Sequence, residues 1–172
     1  MAKQHVIAQA GAINPANPIS PILLMSALAL SMDRAAQAER NLAAISALDA
    51  EIDSSISAAE AAWGGAQAAA ISILNRAEHL PDAAVLIAAI VERLVALRDE
   101  DAGEAFMRQI HDRRADLWLA ACRTPDLQLQ RRLAWALDSL QEMATLDVFG
   151  GIAPSQGPCP VAPSHELEFA AA

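Results

Sequence analysis

Two groupings of residues in this 172-residue chain are of types that could do chemistry. The first is DAEIDSSISAAE, Asp49 to Glu60. Acidic or hydroxyl side chains at its positions 1, 3, 5, 7, 9 and 12, with Ile56 at position 8, have the pattern of a calcium loop between helices. The pattern is imperfect. Position 3 is Glu51, and position 6, where the sharp turn asks for glycine, is Ser54. Glu60 also has a second use, because Ser57-Ala58-Ala59-Glu60 reads as a helix capping box.

The second grouping is His111 with Cys122. Eleven residues make three helical turns, so the two share a helix face about 16.5 Å apart, too far for a nucleophile and its base. Cys122 is expected as a small buried residue and His111 as a surface one. The four histidines (His5, His79, His111 and His165) are scattered and form no His-Glu-x-x-His or Glu-x-x-His pattern. No phosphate loop, nucleophile elbow or CxxC pair is present. No catalytic residue, metal-ligand set or cofactor follows from the sequence, and the expectation is a protein that is not an enzyme.

Charge suggests binding more than chemistry. The net charge is −9, yet residues 105–135 hold 6 basic and 3 acidic groups while residues 1–104 hold 6 and 13. Overall acidity argues against nucleic acid as the main partner. Arg108, Arg113, Arg114, Arg123, Arg131 and Arg132 form the exception. They either dock an acidic partner or nucleic acid, with Gln128, Gln130, Arg131 and Arg132 as readers, or are neutralised by the acidic N-terminal half.

Trp135 falls among Gln128, Arg131, Asp138 and Glu142, opposite the apolar stripe of its helix. It is either an interface anchor, stacked on an arginine, or a second core contact. The candidate partner-binding set is therefore Trp135, Arg131, Arg132 and Gln128. Arg114 and Asp49 each project into an apolar stripe. A buried charge needs a partner, so the two are expected to pair, unless Arg114 snorkels to water.

These residues must be carried by helices. Alanine accounts for 41 residues, tyrosine for none, and strand-type alternation is almost absent, which points to an all-α protein. Helices are expected over 21–53, 58–78, 82–98, 102–122 and 125–148, as an antiparallel helical bundle. Its centre would be the aliphatic run 81–98, PDAAVLIAAIVERLVALR, whose Leu86, Ile87, Ile90, Leu94 and Leu97 form one buried stripe. This run is too short and too charged to span a bilayer.

Pro-Asp turns at 81–82 and 125–126, with acidic boxes at 57–60 and 101–104, recur at 44 residues. They imply either a duplicated helix hairpin or independent use of common helix punctuation. Gly64-Gly65 would mark a kink or a close helix approach. Residues 1–19 read as a flexible arm, 20–149 as the bundle and 150–172 as a disordered Pro/Gly-rich tail. The ending EFAAA resembles tails read by bacterial ATP-dependent proteases.

Two cysteines and no convincing secretory signal suit a reducing cytoplasm. The resulting expectation is a small cytoplasmic structural or interaction protein acting by helix–helix contact. Its partner is another protein or itself, as a homodimer formed through the alanine-lined seam of the first helix. The alternatives are a regulatory nucleic-acid binder using residues 105–135 and a calcium-responsive module at 49–60.

Overall fold

The computed structural model describes residues 20–152 except Ala47 and Asp99; the expected N-terminal arm and the tail from residue 153 lie outside the described residues. Among the described residues there are helices and no strands: α1 (Pro21–Ala43), α2 (Ile52–Leu74), α3 (Asp82–Leu97), α4 (Asp101–Asp112), α5 (Arg114–Cys122) and α6 (Leu127–Met143). Short 3₁₀ turns cover Ala77–His79 and Asp147–Phe149. The protein is an all-α helical bundle.

The long first helix is shorter than expected. It stops at Ala43, and before α2 begins at Ile52 the Asp49 carboxylate accepts from the Ser46 amide at 3.0 Å. Local side-chain bonds of this kind compete with helix continuation. The helix expected over 102–122 is likewise broken. Arg113 leaves helical geometry (φ −95°, ψ 10°), and the Arg114 guanidinium donates to the His111 carbonyl beside the break at 3.2 Å.

Neither capping box forms. Ser57 and Glu60 lie inside α2, Asp101 is the first residue of α4, and no side chain caps either helix. The Pro-Asp turns do start helices, but at different registers: Pro81 caps α3, whereas Asp126 caps α6 by accepting from the Gln128 and Leu129 amides. With one first helix whole and the other broken, the two stretches differ in structure as well as in sequence.

The hub of the bundle is α1 rather than α3. It packs most extensively on α2 and next on α6, burying Leu24, Met25, Leu28, Met32, Ala35 and Ala36. Leu24, Leu28 and Ala35 of its seam are thereby buried within one chain, which takes this part of the seam from the contact expected between two copies. Helices α1 and α2 form an antiparallel hairpin, and α3 runs back along α2 so that Arg98 meets Glu60. In contrast, α6 runs parallel to α1, since Asp33 meets Trp135 and Ser139 while Arg40 meets Glu142.

The α3 rod buries Ile87, Ile90, Val91, Leu94 and Leu97. It is covered well by α2 but lightly by α4, α5 and α6. Leu86, expected inside, is 45% exposed. Gly64 and Gly65 lie on the outer face of an unbroken α2, and a Cβ at either would meet nothing within 4 Å. They mark neither a kink nor a close approach. The glycine that is needed is Gly103, where a Cβ would collide with the Leu97 carbonyl oxygen. Beyond the expected bundle limit, the Ile152 amide still bonds to the Ala144 carbonyl at 2.9 Å, through left-handed Gly150 and Gly151.

Candidate functional site

The calcium loop does not exist as a loop. Residues 52–60 are the opening turns of α2, and Glu60 pairs with Arg98 instead of turning inward to a cation. Among the described residues, no three His, Cys, Asp or Glu side chains are placed to hold a metal ion. Cys122 is exposed rather than buried, and His111 is half-buried. His111 edges a small apolar void between α4–α5 and α6, of about 20 Å³. That is barely room for one water molecule.

Asp49 and Arg114 are not brought together. Asp49 is exposed and occupied with the Ser46 amide, while Arg114 is half-buried with its guanidinium on the His111 carbonyl. The earlier end of α1 removes Asp49 from the apolar seam on which the pairing depended.

Two tryptophans hang on carboxylates of α1, six residues apart. The Trp63 indole donates to Glu39 at 2.5 Å, its ring meets Phe149 edge-on at 5.9 Å, and Arg98 lies over it at 5.5 Å. The Trp135 indole donates to Asp33 at 2.9 Å, and the other oxygen of that carboxylate accepts from the Ser139 hydroxyl at 2.5 Å. Trp135 is therefore a half-buried contact between α6 and α1. Its stacking arginine is Arg132, at 5.8 Å, and not Arg131. Neighbouring Asp138 has its carboxyl raised above the ordinary value by burial, although the residue as a whole is exposed.

Gln128, Arg131 and Arg132 stay at the surface around a shallow depression. The arginine island is partly neutralised by near neighbours in sequence, with Arg108 on Glu104, the last acid of the N-terminal stretch, and Arg113 on Asp116 at 3.8 Å. Exposed pairs of this kind contribute little to stability.

An open apolar feature lies where α3 is thinly covered. A groove of about 500 Å³ runs between α3, α4 and α5. Its apolar lining comes from Leu86, Ala89 and Ile90 of α3, Phe106 and Ile110 of α4, and Leu117 of α5; Gln109, Arg113 and Asp116 line it as well. The break at Arg113 shapes this groove, because two short helices with few buried residues cannot cover a 16-residue rod as one long helix would. No family model, curated protein or solved structure matches the chain. Sequence reasoning missed the groove by placing Leu86 in the buried stripe. The available signal was Asp82, Leu86, Ala89 and Arg93, which share one helix face with a charge at each end.

Among the described residues, no helix is long and apolar enough to cross a membrane.

Proposed function

We propose that this protein is a helix-contact interaction module whose working surface is the α3–α4–α5 groove, operating in the cytoplasm. The observation that carries the reading is the groove itself. Three helices contribute apolar side chains to one groove, with Gln109, Arg113 and Asp116 as its polar lining. This is how a surface that receives an amphipathic helix is built. Leu86 keeps 45% of its surface in water, and covering it contributes about 1 kcal/mol to binding. The exposed thiol of Cys122 supports a reducing compartment.

Photocrosslinking tests the reading. A benzoylphenylalanine at Leu86 of the full chain is expected to join one discrete protein, identified by mass spectrometry. The same probe at Ala61, exposed on the outer face of α2, is expected to give none. Equal or absent crosslinking at the two positions would refute the groove as the working surface.

A further inference from the structure

On that reading, we infer that the helix received at this face is α3 of a second copy of the same chain, related by a two-fold axis. The exposed residues of α3 are Ala96 in its last turn and, ahead of it, the stripe Asp82, Leu86, Ala89 and Arg93. At 100° per residue the members of the stripe fall within about 60° of one another, along about 16.5 Å of axis. The stripe is palindromic in chemistry. An acid and a base stand at its ends, four residues outside a large and a small apolar side chain.

Two such stripes laid antiparallel about a two-fold axis between Ile87 and Ala88 put Leu86 over the partner's Ala89. The same register sets Asp82 against the partner's Arg93, and each contact occurs twice by symmetry. Neither Asp82 nor Arg93 has an ion-pair partner among the described residues. A parallel arrangement would set acid against acid and base against base, so charge selects the antiparallel one. The groove beside Leu86 adds apolar area from Phe106 and Ile110. Chains of net charge −9 repel, but this face carries equal numbers of both signs.

One helix face offers less than the ~800 Å² per partner of a standard stable complex, so the dimer is weak, with Kd ~10–100 µM. Sedimentation equilibrium on the full purified chain, up to roughly 1 mM, is expected to show monomer and dimer. Asp82→Arg or Arg93→Asp sets like charges together at two symmetric places and is expected to weaken the dimer about tenfold. The double variant Asp82→Arg/Arg93→Asp is expected to restore it to within about threefold of the original.

Thermal unfolding of each variant separates association from folding. Both single changes oppose the dipole of α3, and their effects on the helix add; restoration in the double variant can come only from pairing across the interface. A wild-type chain monomeric throughout would overturn the inference, as would inert single variants or a double variant as weak as the singles. If the chain is monomeric while the Leu86 probe captures a different protein, the dimer falls and the interaction reading stands. If both experiments are blank, both fall.

Discussion

Removing the Asp33 carboxylate should uncouple α6 from α1 in a way that can be measured bond by bond. Asp33 accepts from the Trp135 indole at 2.9 Å and from Ser139 at 2.5 Å. Hydrogen bonds to a charged group contribute about 1.5–3 kcal/mol each. Ser139 retains a fallback, the Trp135 carbonyl at 3.0 Å, whereas the half-buried indole N–H loses its one acceptor among the described residues. The smaller desolvation cost of alanine offsets part of the loss.

Asp33→Ala should therefore cost about 2–3 kcal/mol. Trp135→Phe, which deletes the donor and trims the ring, should cost about 1–2 kcal/mol. Because both remove the same bond, the double variant should be less destabilised than the sum by about 1–1.5 kcal/mol. Asp33→Asn, which keeps one acceptor but turns an amide donor toward the other partner, should fall between wild type and Asp33→Ala. Urea unfolding followed by circular dichroism measures these differences. Additivity of the Asp33→Ala and Trp135→Phe costs to within about 0.5 kcal/mol would refute the coupling.

Three further outcomes follow from the packing. Gly64→Ala and Gly65→Ala, facing open space on a continuous helix, should each raise stability by about 0.5–1 kcal/mol in thermal unfolding. Gly103→Ala should lower it by about 2–3 kcal/mol, because the new methyl meets the fixed Leu97 carbonyl. Asp138→Asn should leave the chain as stable or more stable at neutral pH. The raised carboxyl of Asp138 holds its proton more tightly in the fold than in the unfolded chain. Its contribution is thus favourable below the ordinary carboxylate pKa of about 3.9 and is lost as pH rises through the higher folded value. The advantage of the variant should vanish on acidification, as unfolding curves at neutral and acid pH will show.

The helical class and the start of α3 were legible because they depend on short-range signals: alanine content, Pro-Asp punctuation and aliphatic periodicity. The starts of α1 at Pro21 and of α6 at Leu127, expected at residues 21 and 125, followed for the same reason. Breaks were harder to read. At Asp49 and at Arg113 the periodicity continues across a turn that side-chain bonds to Ser46 and His111 stabilise, and periodicity cannot register such bonds. The start inferred from Ser57 failed, because capping chemistry also occurs within helices and Glu60 serves Arg98 instead, whereas α4 does start at Asp101, within one residue of expectation but without a side-chain cap.

The site was legible in its residues but not in its roles. Trp135 stood out correctly as an indole off the main stripe, and the carboxylate that claims it lies 102 residues away on α1. No local pattern announces a partner at that separation. Leu86 illustrates the opposite error. A strongly aliphatic helix implies burial on all sides, yet how much cover α4 and α5 supply depends on a break that tertiary packing decides.

The claim on which the functional account depends is that the exposed face of α3 is a contact surface. Amide shifts of the isotopically labelled full chain, recorded across a hundredfold range of concentration, test it most directly. Concentration-dependent movement is predicted for Leu86, Ala89 and Arg93 and for the adjoining Phe106 and Ile110, with Ala61 and Gly65 on α2 stationary. Shifts that stay fixed along α3, or that move instead on the outer face of α2, would contradict it.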